Sequence, residues 1–326
     1  EPQFGMGPSG RLLWCIFCAA AVWMGATARA CPATCDLGEV NSEGGDFTVF
    51  DWTPLPKALA LVKVPETGSS TAANLLAELA RKRNTTCFGV KLCGETAESE
   101  AAWSLGHLRV GKQQFLITTA RDPVARMVSY TYKNGCSGSK PCDCAPAVGI
   151  ALNYWGLRGE RASDVERALA GDSKTPPRFD AIWVTERYNE SLVVFALRHG
   201  LPLGDVLAPL SKVHVGTDQA LQAKAMRACA HKRAGAEAAV VKFANAKLDA
   251  DSAALVSAGV DVPKLVRAYE AHVEHYLQHG GTVKAAQSTD DPLHSKATLS
   301  ADGCVRKCAA KALDERVRIR YRKRPK

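Results

Sequence analysis

Several patterns that mark common protein classes are missing from the sequence. There is no GxxxxGK[ST] loop, which excludes an NTP-binding P-loop, and no internal repeat of useful length, which argues against a repeat architecture. The cysteines lack the ligand spacing of a zinc knuckle. No aromatic stacking motif accompanies the basic residues, which argues against nucleic-acid binding. Outside one amino-terminal segment, no apolar run is long enough to span a bilayer.

The composition is that of an ordinary globular protein. The chain has 326 residues, of which 46% are hydrophobic and 23% charged, enough for one large domain or two modest ones. The 42 Lys and Arg exceed the 33 Asp and Glu, giving a formal net charge of +9. This excess indicates an anionic partner, for which a nucleotide, a phosphate, an acidic glycan, a membrane surface and a nucleic acid are all candidates.

Cysteine usage indicates an oxidising compartment. The chain has 12 cysteines, most of them close together in sequence, as in small disulfide-linked segments. The close groups are Cys31/Cys35, Cys87/Cys93, Cys136/Cys142/Cys144 and Cys304/Cys308. We therefore expect disulfides rather than zinc or any other metal site, with the connectivity left open.

The amino-terminal segment predicts entry into the secretory pathway. Arg11 precedes an apolar run at residues 12–26, and residues 28–30 are small enough for signal peptidase cleavage. Residues 1–30 are thus a signal peptide or, alternatively, an uncleaved anchor that holds the chain in a membrane through residues 12–28. Sequons at Asn84 and Asn189 agree with a glycoprotein. We expect the Golgi lumen or membrane, or secretion.

Three successive units of strand, turn and helix predict the fold. The strands are expected at residues 58–64, 115–120 and 181–184, and the helices at 71–83, 124–132 and 190–199. Asp122 is expected to cap the second helix and Pro123 to occupy its first turn. This alternation predicts an α/β fold with a three-layer, mainly parallel sheet, whose turns gather at the carboxyl ends of the strands.

The remaining segments divide the chain. Residues 31–57 are rich in Gly, Pro and acids and are expected to form an irregular leader, with the main domain at 58–290. Residues 291–326 form a cysteine-containing basic tail, whose end is either an edge strand or a solvated polybasic segment.

Three motifs resemble one known family. Residues 63–71 read KVPETGSST, residues 119–130 read TARDPVARMVSY, and residues 179–192 read FDAIWVTERYNESL. In this order they resemble the phosphosulfate loop, the 3′-phosphate motif and a Glu-Ser-Leu signature of Golgi carbohydrate sulfotransferases, notably the galactose-3-O and heparan-sulfate 2-O branches. The resemblance covers residues 58 to about 200 and implies the sulfotransferase fold, with a P-loop-like turn that binds the phosphosulfate.

The resemblance implies binding of 3′-phosphoadenosine 5′-phosphosulfate, which needs two anion cradles. The first would use the backbone N–H groups and hydroxyls of a hydroxyl-rich turn at a helix N-terminus. Its residues are Thr67, Gly68, Ser69, Ser70 and Thr71. The second would hold the 3′ phosphate with the planar fork of Arg121 and the hydroxyl of Ser129. Alternatively, Arg121 pairs with Asp122 or another neighbour, and Ser129 is an ordinary helix-surface residue.

Sulfonyl transfer also needs a base for the acceptor hydroxyl and a cation for the leaving phosphate. His107, in a Gly-His pair before the second strand, is the first candidate for the base, and Glu186 is the second. A histidine held by a backbone carbonyl and a glutamate that caps a loop are the structural alternatives. Lys63, which also matches a family lysine, is the candidate cation.

Glu66 departs from the family pattern, because it stands where the family has its leaving-group lysine. At about 4 Å and an effective dielectric near 20 a charge pair is worth about 4 kcal/mol, so reversing the sign changes the interaction by about 8 kcal/mol. Three outcomes follow. Lys63 supplies the cation instead, Glu66 points away from the nucleotide, or the protein binds poorly and is inactive.

The expected function is therefore transfer of a sulfonyl group to a hydroxyl of a carbohydrate, without a metal. One alternative is a non-catalytic protein of the same fold that binds a nucleotide or an acidic glycan. Another is a disulfide-linked secreted protein whose basic tail binds acidic polysaccharide. We expect the acceptor to be selected by the loops at residues 135–155 and after residue 280.

Overall fold

The structure is a computed structural model. It describes residues 40, 43–88, 115–134, 149–157, 162–170, 179–208, 227–228, 231, 234–278 and 301–323. The strands are β1 (Gly45–Phe50), β2 (Ala58–Val62), β3 (Thr86–Phe88), β4 (Phe115–Ala120), β5 (Ala181–Val184) and β6 (Val317–Arg322). The helices are α1 (Ser69–Arg83), α2 (Pro123–Asn134), α3 (Ile150–Tyr154), α4 (Ala162–Ala170), α5 (Tyr188–His199), α6 (Gly235–Ser257), α7 (Val262–Gln278) and α8 (Ala301–Arg316). Short 3-10 helices span Thr185–Arg187 and Leu203–Val206.

The central sheet of the described residues is parallel throughout. Its four strands run in the order β3-β2-β4-β5. Leu59 to Val62 of β2 are all fully buried, although successive side chains of a strand point to opposite faces. Both faces of the sheet are therefore covered, as the continuous apolar run of β2 predicts. The prediction of a mainly parallel α/β fold is confirmed, and the arrangement is compatible with three layers.

The strand order creates a topological switch point between β2 and β4. The chain passes from β2 through α1 to β3 on one side, and β4 then pairs with the other side of β2. In doubly wound sheets the loops that leave two such strands diverge and open a crevice at the carboxyl edge. Here those loops are residues 63–68 and 121–122, which carry two of the three motifs.

Helices pack against this sheet and against one another. The long helix α6 contacts β5 and the helices α2, α3, α4, α5 and α7. Helices α1, α5 and α8 contact the 3-10 helix Leu203–Val206, and α7 also contacts α5 and α8. At Gly204 a Cβ atom would lie 2.5 Å from the carbonyl oxygen of Ala310 on α8, so a glycine is needed for this close approach.

A separate two-stranded ribbon pairs a strand near the start of the described residues with a strand near their end. Strands β1 and β6 pair in parallel, with Gly45 opposite Val317 and Phe50 opposite Arg322. The interpretation of residues 31–57 as an irregular leader is wrong for Gly45–Phe50, because β6 supplies hydrogen-bond partners more than 260 residues away in sequence. For the tail, of the two alternatives offered, the strand is found. It follows a helix, and Val49, Leu313 and Val317 belong to the main core cluster.

Two further expectations concern the compartment. Within the ranges described, no helix is long and apolar enough to cross a membrane, and residues 12–28 lie outside those ranges. Cys308 on α8 is disulfide-bonded, which agrees with the expected use of cysteine.

Candidate functional site

Three turns meet at the carboxyl edge of the sheet. They follow β2, β4 and β5, and each predicted motif contributes one of them. The hydroxyl of Thr185 lies 2.8 Å from the carbonyl oxygen of Thr67 and 2.9 Å from that of Ala120. The hydroxyl of Thr67 in turn contacts that of Thr119 on β4. These buried and half-buried contacts fix the positions of the three strand ends relative to one another.

The turn after β2 is built from two left-handed residues. Glu66 has φ 62° and Gly68 has φ 74°, and Gly68 immediately precedes α1. The hydroxyls of Thr67 and Ser69 donate to the carbonyl of Val64, at 2.8 and 2.6 Å, and both side chains are buried. The hydroxyl hydrogens of these two predicted ligands are thus used within the turn, whereas Ser70 is exposed. The first N–H groups of α1 have no partner within the helix, which leaves them as potential anion donors.

Arg121 lies against this turn. Its Nη1 donates to the carbonyl oxygen of Glu66 at 3.0 Å, so Arg121 and the turn adjoin each other at the carboxyl end of the sheet, where the strand order predicts a crevice. The predicted proximity of Arg121 and the turn is confirmed. Within the described residues no hydrogen bond or ion pair joins Arg121 to Asp122, and the binding of a phosphate by Arg121 stays a prediction.

Glu66 directs its carboxylate toward the second cradle. Ser129 Oγ donates to Glu66 Oε2 at 2.8 Å, and both side chains are half-buried. The carboxylate therefore contacts the hydroxyl that the resemblance assigns to a phosphate, and it adds negative charge at that point. An anionic ligand that used Ser129 would have to displace it.

Lys63 follows β2 rather than belonging to it. The N–H of Val64 donates to the carbonyl of Val62 at 3.2 Å, which turns the chain around Lys63. The strand predicted at residues 58–64 therefore ends at Val62, before Lys63. Lys63 is half-buried, and its role as the leaving-group cation stays a prediction.

Asp122 and Glu186 act together at the start of α2. Asp122 Oδ1 accepts a hydrogen bond from the N–H of Ala125 at 2.8 Å, which confirms the predicted N-cap. The N–H of Asp122 donates to Glu186 Oε1 at 3.0 Å. Glu186 is exposed, and its contact with Asp122 is that of a residue that caps a loop, which is the structural alternative. Its use as a base stays a prediction.

The buried pair of Arg126 and Glu237 was not found by sequence reasoning. Arg126 Nε and Nη2 donate to the two carboxylate oxygens of Glu237 at 2.9 and 2.8 Å, and both side chains are almost fully buried. Burial raises the pKa of Glu237, and Arg126 opposes this shift. Arg126 is visible in the second motif, but no local signal marks Glu237 as its partner. The pair holds α2 against α6 and so positions Ser129.

Some predicted features fall outside the described residues. His107 is among them, as are residues 135–148 and 279–300, which include most of the loops expected to select the acceptor. Among the residues that are described, no group of three or more His, Cys, Asp or Glu side chains could hold a metal ion.

A cleft of about 240 Å³ lies away from this crevice. It is lined by the first residues of β4 and β5, Phe115 and Ala181, and by His199 at the end of α5. Because parallel strands share their direction, this cleft is at the opposite edge of the sheet from Arg121. Burial lowers the pKa of His199, whose ring packs edge-on against Phe115. Chemistry at the predicted motifs would therefore not use this cleft.

Comparison with models of known protein families, with curated proteins and with solved structures gives no match for this chain.

Proposed function

We propose that the protein transfers the sulfonyl group of 3′-phosphoadenosine 5′-phosphosulfate to a hydroxyl of a carbohydrate in the secretory pathway, in the Golgi or after secretion. The observation that carries this proposal is the contact of Arg121 with the turn after β2, at the switch point between β2 and β4. A planar cation and a helix N-terminus then face one crevice, as a ligand with two anionic groups requires. The excess of basic residues would also attract this polyanionic donor.

The residues present fit such a donor if Glu66 moves. The phosphosulfate would be held by the N–H groups at the start of α1 and by the hydroxyls of Ser70 and Thr71. The 3′ phosphate would be held by Arg121 and Ser129 once the carboxylate of Glu66 leaves the Ser129 hydroxyl. Glu66 is half-buried, and its left-handed backbone costs free energy in a residue other than glycine, so relief of this penalty would favour a rearranged turn.

In the proposed reaction the acceptor oxygen attacks sulfur, and the bond between sulfur and the bridging phosphate oxygen breaks. The bond's electrons remain on the phosphate of adenosine 3′,5′-bisphosphate, and the acceptor proton passes to a base. We assign the base to His107, with Glu186 as the competing candidate. Lys63 would offset the charge that develops on the leaving phosphate.

The roles of Lys63 and Glu66 are tested by radiolabelled sulfonate transfer. We expect Lys63→Ala to abolish transfer, since loss of one close charge pair of about 4 kcal/mol slows the reaction about a thousandfold. Glu66→Lys should preserve or raise the rate. Lys57→Ala, at an exposed position before β2, is the matched control and should change nothing. Unchanged transfer by Lys63→Ala would remove Lys63 from the mechanism.

A second candidate function is favoured by the hydrogen bond between Ser129 and Glu66. A carboxylate that occupies the second cradle is compatible with a non-catalytic protein of the sulfotransferase fold that binds a nucleotide or an acidic glycan. Calorimetry with adenosine 3′,5′-bisphosphate separates the two candidates. Binding without turnover on a panel of glycans supports the non-catalytic candidate, whereas turnover excludes it.

A further inference from the structure

The ribbon formed by β1 and β6 presents a row of arginines to solvent. Along β6, Val317, Ile319 and Tyr321 pack on the core, while Arg318, Arg320 and Arg322 alternate with them and are exposed. Alternate residues of a strand lie on the same face, so the three arginines point to the same side. Their spacing is about 6.6 Å from one to the next.

The backbone that carries this row is held in place. The hydroxyl of Tyr321 donates to the carbonyl of Leu201 at 2.7 Å, and its ring packs edge-on against Trp52 at a centroid distance of 5.6 Å. Strand β6 also pairs with β1 over its whole length. A ligand that binds the row therefore does not have to order the backbone first, which favours affinity.

Little negative charge neutralises the row. Arg318 Nε lies 3.9 Å from Asp46 on β1, with both side chains more than half exposed, and such a pair contributes little. For Arg320 and Arg322 no ion pair is found within the described part of the chain. The residues of β1 opposite these two arginines are Thr48 and Phe50, which carry no charge.

Packing does not require arginine at these positions. An exposed strand face accommodates Thr or any other polar residue, and charges of either sign would hinder edge-to-edge pairing. Three guanidinium groups of the same sign instead form a linear array, and each presents a planar fork that matches a sulfate or carboxylate.

We propose that this face of the ribbon binds a linear polysaccharide that carries sulfate or carboxylate groups, with successive anionic groups on Arg318, Arg320 and Arg322. A membrane surface is a poorer fit, since among the described residues the exposed large hydrophobic side chains are Val256 and Leu277, neither on the ribbon. A nucleic acid is also a poorer fit, because the row lacks interleaved exposed aromatic residues for stacking.

The array is distinct from the crevice that contains Arg121. Tyr321 contacts the carbonyl groups of Ala196 and Leu201 around the end of α5, where His199 packs on Phe115, the first residue of β4. The last residue of β4, Ala120, lies about 17 Å from Phe115 along the strand, and Arg121 follows it. The ribbon can therefore bind a polyanion whether or not the crevice binds a nucleotide.

The test measures binding of a fluorescent heparin oligosaccharide by anisotropy at about 0.15 M salt. The variant Arg318→Thr/Arg320→Thr/Arg322→Thr keeps residues that favour strands and should lose about tenfold or more in affinity. The control variant Lys57→Thr/Arg81→Thr/Lys307→Thr removes the same charge from exposed positions on other elements and should lose less than about threefold. Single-stranded DNA and phosphatidylserine vesicles are measured in parallel.

An equal loss of affinity in both variants would overturn the proposal, because net charge alone would then explain binding. Tighter binding to the vesicles or to DNA than to the oligosaccharide would overturn the assignment to a polysaccharide. Should the triple variant not fold, as judged by circular dichroism, Arg320→Glu replaces it. We expect this single reversal to weaken oligosaccharide binding, and unchanged binding would again contradict the proposal.

Discussion

Glu66 combines an unfavourable backbone conformation with a negative charge at a predicted anion site. A left-handed conformation at a residue other than glycine is expected to cost about 1 kcal/mol or more. The contacts of its carbonyl with Arg121 and of its carboxylate with Ser129 offset this penalty. Strained residues of this kind cluster at active sites, ligand clamps and switch regions. We therefore propose that Glu66 decides whether this site binds a nucleotide.

Asp314 is a second residue whose negative charge is unfavourable in its partly buried surroundings. Its Oδ1 accepts a hydrogen bond from the N–H of Gly204 at 2.8 Å. Burial raises the pKa of Asp314 from its usual 3.8 to about 6, with a further upward contribution from Asp205, while the Gly204 N–H and Lys82 oppose the shift. Because its pKa is raised, the contribution of Asp314 to stability is full below about pH 3.8 and is lost as the pH rises through about 6.

This shift predicts the pH dependence of one substitution. Asp314→Asn keeps an acceptor for the N–H of Gly204 but cannot ionise. The stability of the variant relative to the wild type should therefore rise between pH 4 and pH 7, a window set by the values of 3.8 and about 6. Thermal unfolding followed by circular dichroism across this range measures it. Glu315→Gln, at the exposed neighbouring position, should show no such trend, and a constant offset for Asp314→Asn would contradict the assigned shift.

At the scale of elements, α2 positions the second cradle and is held at both its start and its middle. Asp122 and Glu186 satisfy N–H groups at its start, and Arg126 joins it to Glu237 on α6. Ser129 lies less than one turn beyond Arg126, so its position depends on the buried pair.

The buried pair predicts a strongly non-additive result. Arg126→Met leaves the carboxylate of Glu237 buried without its partner and should cost about 3–5 kcal/mol of unfolding free energy. Arg126→Met/Glu237→Gln removes the buried charge and retains an acceptor for the nearby backbone N–H groups of Gly149 and Ala151, so it should recover most of that loss. Urea unfolding of both variants measures the effect. A double variant as unstable as Arg126→Met would show that the cost is not electrostatic.

The sequence predicts an element well when the residues that determine it are neighbours in sequence. The cap at Asp122, the turn between β2 and α1, and the strand at Phe115–Ala120 each follow from neighbouring residues, and each was predicted. Strand β1 pairs with β6, and Arg126 pairs with Glu237, across long distances in sequence. The residues around each partner contain no pattern that identifies the other. The orientation of Glu66 was also unpredicted, because it depends on a left-handed turn at a residue other than glycine.

At the scale of the whole molecule, Arg121 and the arginine row of the ribbon lie toward opposite ends of the strands of the central sheet. The switch point between β2 and β4 brings together Arg121 and the start of α1, and the ribbon carries its arginines near the amino end of β4. Part of the net charge of +9 is thus concentrated in the linear array on the ribbon. We expect the two surfaces to respond to substitution independently, since they share no residue.

Nucleotide binding at the switch point is tested by calorimetric titration of adenosine 3′,5′-bisphosphate into the wild type, Glu66→Gln and Arg121→Gln, each checked for folding by circular dichroism. We expect Glu66→Gln to bind at least about tenfold more tightly than the wild type, since a negative charge leaves the second cradle. Arg121→Gln should bind at least about tenfold more weakly, since the charged fork is lost. Equal binding by the wild type and Arg121→Gln, or no binding by Glu66→Gln, would contradict the claim that this crevice holds a doubly phosphorylated nucleotide.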